Sequence, residues 1–183
     1  ETAHTGERFI SEGPFRFKSG EHLAQLELAY ETWGELNAEA SNAVLIFTGL
    51  SPSAHARSSK NDPRPGWWEQ MIGPGAPIDT NRFFVVCLNH LGGCFGSSGP
   101  SSSNPKTGSS YGTAFPALTM EDMANAGHAL LRALGIQCAE AVVGPSMGGL
   151  TALAFALEQP QALRRLLLIS SAAQMSARGI AIH

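Results

Sequence analysis

Residues 141–157, AVVGPSMGGLTALAFAL, begin as an apolar run that reads as a strand and end as an apolar run that reads as a helix, with Ser146 at the join. Few local patterns restrict a fold more. G-x-S-x-G between a buried strand and a helix needs a turn too sharp for side chains on its flanks. Such a turn holds its serine at positive φ, so the residues two before and two after it crowd together. Gly144 and Gly148 lack the side chains that would clash, and Gly149 leaves further room for helix against strand. Pro145 disfavours helical backbone at Gly144, which suits a strand that runs up to the turn. A serine that only capped a helix would need neither the paired glycines nor the buried strand. Ser146 is therefore predicted to be a nucleophile on an elbow, where the positive end of a helix favours developing negative charge. The Met147 N–H is one expected oxyanion donor. The second is expected from the loop after an earlier strand, where Gly49 lets the backbone turn inward and the Leu50 N–H is the candidate.

The rest of the chain supplies a sheet for this elbow. Residues 8–20 and 22–34 read as two strands of an antiparallel hairpin turning at Ser19-Gly20. In the second, Leu26, Leu28 and Tyr30 alternate with Gln25, Glu27 and Glu31, the pattern of a half-buried strand. The pattern then changes. Residues 42–49, 81–89, 139–144 and 163–170 are short continuous apolar runs, as in parallel strands buried on both faces. Residues 119–135 read as a helix with Met123, Ala126, Leu130, Leu131 and Leu134 on its inner face. Thr119 and Asp122 start it, Gly135 stops it, and Gly127 allows close approach to the sheet. In the helix after Ser146, Leu150, Leu153, Ala154 and Leu157 are expected to point inward, with Pro160 past its end. This order gives an α/β layout with an antiparallel edge leading into a mostly parallel sheet, and a single domain over residues 1–183. Two long segments, 49–66 and 90–118, fall at C-terminal strand ends, where open α/β sheets place their ligands.

Composition narrows the function classes. A net charge of −3 gives no reason to expect nucleic acid or an anionic membrane as partner. No apolar run is long enough for a membrane helix, and neither a signal peptide nor a metal site is expected. The three cysteines, Cys87, Cys94 and Cys138, fit no zinc or disulfide spacing and read as reduced thiols of a cytoplasmic protein. Cys87 and Cys138 are expected in the core, Cys94 in a glycine-rich loop.

A serine nucleophile needs a base, usually histidine, and an acid that orients it. In chain order these come after the elbow serine. After Ser146 the only acidic residue is Glu158 and the only histidine is His183; neither is placed at a later strand end. His4, His22, His55, His90 and His128 all precede Ser146. His55 and His90 lie in the two long loops and can line the site, but the order argues against either as the triad base; His128 reads as structural. The triad Asp and His are thus not expected in this chain, which reads as an N-terminal portion of a longer protein.

Residues 66–108 (GWWEQMIGPGAPIDTNRFFVVCLNHLGGCFGSSGPSSSNPKTG), 30–37 (YETWGELN), 144–149 (GPSMGG) and 170–183 (SSAAQMSARGIAIH) resemble the homoserine O-acetyltransferase family of α/β-hydrolase-fold acyltransferases. The likeness runs almost without a break from about residue 8 to the end. It implies acyl transfer from acyl-CoA to the side-chain hydroxyl of an amino acid through an acyl-serine, a step of cysteine or methionine biosynthesis. Ser146 matches the family's nucleophile, and Met147 and Leu50 match its oxyanion donors. The GLS and HA pieces of residues 48–56 look more like the serine O-acyltransferase branch; serine or homoserine as acceptor, and acetyl or succinyl as donor group, stay open. A hydrolase of the same fold and a non-catalytic product are the alternatives. The resemblance implies no cofactor beyond acyl-CoA as co-substrate, a homodimer built partly through a helical lid, and an Asp and a His later in the chain. Residues 1–183 alone are expected to show no acyltransferase turnover. Arg57 and Lys60 can meet CoA phosphates or a succinyl carboxylate, or be solvated loop charges.

Overall fold

The computed structural model describes residues 6–174 and residue 177. His4, His183 and most of the final stretch of the resemblance lie outside the described residues.

Among the described residues the elements succeed one another in the order β1 (Glu7–Ile10), β2 (Phe15–Arg16), β3 (His22–Leu23), β4 (Glu27–Trp33), β5 (Ala43–Phe47), β6 (Ile72–Gly73), β7 (Ile78–Asp79), β8 (Phe84–Leu88), α1 (Met120–Ala133), β9 (Ala141–Pro145), α2 (Met147–Glu158) and β10 (Leu166–Ile169), with a short 3-10 turn at Gly112–Ala114. Six strands form one sheet in the order β1-β4-β8-β5-β9-β10. β1, β4 and β8 pair antiparallel, whereas β8, β5, β9 and β10 run parallel. The expected antiparallel edge leading into a parallel sheet is thus present. β2 pairs with β3 and β6 with β7 in two small ribbons.

Each central strand is apolar on both faces because both faces are covered, by different means. On one face Leu45, Phe47, Val86, Leu88 and Val142 pack with Leu130, Leu131, Ala152 and Phe155 of α1 and α2. On the other, Val44, Ile46, Val85, Cys87 and Val143 pack beneath Trp33, Ala54, Ala56 and Ile72, flanked by Trp67 and Trp68. Among the described residues, that second cover contains no helix. Partly buried side-chain bonds hold its backbone. The Glu69 carboxylate accepts the Ser58 N–H, the Ser58 hydroxyl and the Gly66 N–H at 2.8, 2.6 and 2.8 Å. The Ser58 hydroxyl, together with the two backbone donors, pulls its pKa down to about 2. The Trp67 indole donates to the Ser53 carbonyl at 2.9 Å, and Arg57 donates to the Glu69 and Ile72 carbonyls. Arg57 is therefore committed to the fold, while Lys60 is exposed.

Residues 8–20 and 22–34 pair as the expected antiparallel hairpin, turning at residues 17–21, but with an interruption: β1 pairs with β4 and β2 with β3, and the ladder lapses around Gly13-Pro14, where proline has no N–H to give. There the Ser11 hydroxyl accepts the Leu26 N–H at 2.9 Å. Three expectations are corrected. β4 is buried on both faces; Glu31 is only 6% exposed because His55 covers it. In α2 the buried residues are Gly148, Gly149, Thr151, Ala152, Ala154 and Phe155; of the four expected to point inward Ala154 is buried, while Leu150 and Leu153 are half-buried and Leu157 is 74% exposed. The elbow fixes the phase of that helix at Gly148, and positions 151, 152 and 155 share its face. Finally, β10 is not buried on both faces among the described residues: Leu167, Leu168 and Ile169 are exposed, and β10 is the last strand of the described sheet.

α1 matches its reading. Thr119 and Asp122 form a reciprocal capping box, and Gly135 takes positive φ (78°). Gly127 lies against the Phe47 ring, where a Cβ would approach within 2.6 Å. Gly127→Val is expected to lower stability by about 2–3 kcal/mol, since overpacking a closed core outweighs any gain in helix propensity. Urea denaturation of the wild-type and variant proteins measures this.

Candidate active site at the strand–helix elbow

Ser146 sits between β9 and α2 with φ 54° and ψ −122°. For a residue with a Cβ this is a strained backbone. Its side chain makes no capping bond to the helix, so the hydroxyl is not occupied as an N-cap, and the residue is exposed. The strain is locked by neighbours. The Ser146 N–H donates to the Ile169 carbonyl at 2.9 Å, continuing the β9–β10 pairing up to the turn, and the Ser146 carbonyl accepts the Gly149 N–H at 3.0 Å.

The glycines have the close contacts that the motif demands. A Cβ on Gly144 would fall on the Gly148 carbonyl, and one on Gly148 would fall on the Phe47 and Thr48 carbonyls. The second contact joins two parts of the site: the first turn of α2 rests directly on the backbone leaving β5. That backbone continues through Gly49, whose nearest neighbours include the Pro145 carbonyl, to Leu50. Leu50 and Met147, the two expected oxyanion donors, line one cavity of about 180 Å³. Its wall also includes His90, Leu118 and Met123, with Cys94 at an exposed position. The elbow can therefore present a hydroxyl beside a small, largely apolar recess with a helix N-terminus at its edge.

The other sequence-selected residues fall into place around it. Cys87 is buried, and burial drives its thiol pKa well up; Cys138 is half-buried. His128 lies on the α1 flank with its ring edge against Phe155. His55 faces the helix-free side, where its Nδ1 meets the Glu31 carboxylate at 3.0 Å and its Nε2 meets the Arg64 carbonyl at 2.8 Å. Asp62, 3.9 Å away, is itself ion-paired with Arg64. With an acceptor at each ring nitrogen, His55 is suited to carry both protons. Desolvation lowers its pKa, but the Arg64 carbonyl and the Glu31 and Asp62 carboxylates together raise it above the ordinary 6.5.

Sequence reading missed Asn89 and Glu31. Asn89 accepts the Ala54 N–H at 2.5 Å and donates to the Phe95 carbonyl at 2.7 Å. It thus ties the segment after β5 to the glycine-rich segment after β8. The available signal was the polar pair Asn89-His90 closing an apolar strand. For Glu31 only the covering loop, not the strand pattern, carried the information.

Comparison with known proteins agrees with this geometry. A family profile described as alpha/beta hydrolase fold matches residues 42–180. A protein named serine O-succinyltransferase from Litchfieldella anticariensis is 53% identical over 177 residues, 96% of this chain and 48% of its own length. One of the same name from Xanthomonas oryzae pv. oryzae is 54% identical over 170 residues, 93% of this chain and 43% of its own. The solved homoserine O-acetyltransferase from Bacillus anthracis superposes with a TM-score of 0.86 at 36% identity, covering 93% of this chain and 48% of that one. Esterase E22 superposes with a TM-score of 0.85, also at 36% identity, covering 96% of this chain and 50% of that one. The chain thus spans about half the length of these relatives.

Two outcomes are expected. Gly148→Ala pushes α2 off the Phe47–Thr48 backbone and misplaces Ser146 by a fraction of an ångström or more. Activity of the complete protein should fall about 100-fold with its circular dichroism spectrum retained. For His55, a folded pKa above the unfolded one contributes stability that is fully present below about pH 6.5 and is lost as pH rises through the folded value. His55→Gln should therefore cost more stability near about pH 5.5 than near about pH 8.5, measured as the difference in unfolding free energy from wild type. The matched profile, the elbow with its bound-in glycines and the superposed structures lead to one conclusion: this chain belongs to the α/β-hydrolase fold family.

Proposed function

We propose that the complete protein is an acyl-CoA-dependent amino-acid O-acyltransferase that moves a succinyl group to the hydroxyl of L-serine, with Ser146 as its nucleophile. The observation that carries the reading is the uncapped Ser146 hydroxyl on a backbone of positive φ. The names of relatives more than 50% identical over nearly the whole chain support the choice of group and acceptor.

The chemistry is a double displacement. Ser146 Oγ attacks the thioester carbonyl while a base takes its proton, and charge gathers on the carbonyl oxygen. The Met147 and Leu50 N–H groups stabilise that charge without having to reorganise. Collapse breaks the C–S bond, and CoA leaves as the thiol with a proton. The acceptor hydroxyl then attacks the acyl-Ser146 ester, gives up its proton to the same base, and frees Ser146 Oγ. The base and its orienting carboxylate belong, on this reading, to later positions of the complete chain, as does the cover that keeps water out. Acyl-CoA is the co-substrate, no further cofactor takes part, and the working unit is a homodimer.

Hydrolysis is the second reading, favoured by the equal sequence identity to esterase E22 and to the acetyltransferase. Incubating the complete protein with succinyl-CoA separates the two. Transfer predicts CoA release that depends on L-serine and an intact-mass increase of one succinyl group on Ser146 when serine is withheld. Serine-independent CoA release would establish the hydrolase instead. Ser146→Ala should lower either rate by about 10⁴-fold or more.

A further inference from the structure

We propose that His90 is a positioning residue for the oxyanion hole: its Nε2–H grips the backbone between β5 and Leu50 and thereby aims the Leu50 N–H. The proposal rests on the nucleophile reading of Ser146.

His90 lies just past the end of β8 and is 8% exposed. Its Nε2 lies 2.6 Å from the Thr48 carbonyl oxygen. A carbonyl only accepts, so Nε2 carries the proton. Nδ1 is buried with no partner among the described residues. A second proton there would be a buried, unpaired donor on a charged ring. Burial, the main influence, lowers the pKa, so the ring stays neutral with one tautomer.

This bond matters for direction. A trans peptide is planar, so holding the Thr48 carbonyl fixes the whole Thr48–Gly49 peptide and leaves only the two Gly49 dihedrals to set where the Leu50 N–H points. The Thr48 carbonyl is held on two sides, by His90 and by the missing side chain of Gly148. The same imidazole lines the cavity that Leu50 and Met147 share. Asn89, one residue earlier, fastens the next stretch of that loop at Ala54. The two neighbours thus hold the loop at Thr48 and at Ala54, with Leu50 between them. Leu50 itself is 74% exposed among the described residues.

The side chains suited to test this differ in where they put a donor. The amide nitrogen of glutamine falls near Nε2, and that of asparagine near Nδ1. In the complete protein, His90→Leu and His90→Asn should lose about 10- to 100-fold in kcat with KM changed less than about threefold, less than the loss of a whole donor because the N–H is misaimed rather than removed. His90→Gln should recover most of that loss. Unchanged kcat in a folded His90→Leu, or equal loss in His90→Gln and His90→Asn, overturns the proposal. Should His90→Leu not fold, the glutamine–asparagine pair decides. Imidazole ¹⁵N spectra of the wild type give a test without any variant: a neutral Nε2–H ring near neutral pH is expected, and an Nδ1–H tautomer or an imidazolium overturns it. A fluorophosphonate probe keeps the two readings apart. No modification of Ser146 in wild type defeats the nucleophile assignment. Equal rates of Ser146 modification in wild type and His90→Leu defeat the His90 assignment alone.

Discussion

The structure depends on a contact between two pieces of backbone. The first turn of α2 lies on the Phe47 and Thr48 carbonyls with no side chain between them, and Gly148 makes that possible. Where side chains separate elements of the core, their sizes can vary together. Here no such adjustment exists. The contact sets the phase of α2, and so decides which residues of that helix face inward. It fixes the distance between the backbone after β5 and the elbow. It also helps keep Ser146 in a conformation that costs about 1–3 kcal/mol and persists only where the surroundings over-determine it. A strained serine and a rigid neighbour are two results of one omission.

Legibility followed whether an interaction leaves a local pattern. The six-stranded core, the α1 capping box and the elbow each left one: apolar runs, Thr119 with Asp122, paired glycines. The errors lie where distant residues decide. Leu157 has the right spacing for a buried face, yet the phase of α2 is set by a carbonyl about a hundred residues earlier. Glu31 stands where an alternating strand should meet water, but the segment after β5 folds over it and brings His55. The hairpin of residues 8–34 formed as read, and only its interruption at Gly13-Pro14 went unread. At the site, Ser146 with its glycines was legible, while the roles of Asn89 and His90 needed the register of β8 against β5.

The contrast between the two sheet faces gives a reason for this division. On the α1–α2 face the packing is side chain on side chain, and amphipathic spacing reports it. On the other face the cover is held by polar atoms reaching backbone groups: Glu69 to Ser58 and Gly66, Trp67 to Ser53, Arg57 to two carbonyls. Such bonds have no period, so the sequence shows only a long loop rich in Pro, Ser and Trp.

That helix-free cover has a consequence for how such a protein changes over time. A helix tolerates replacement along its outer surface but resists changes of length, because each added residue rotates the remainder of the helix by about 100°. A segment pinned at a few carboxylate, amide and indole anchors behaves otherwise. Between the anchors it can lengthen, shorten or change composition without disturbing the strands beneath, provided the anchors themselves stay. The fold thus keeps its fixed geometry on one side, where the helices set the elbow, and its room for variation on the other. New loops can be tried beside an unaltered serine.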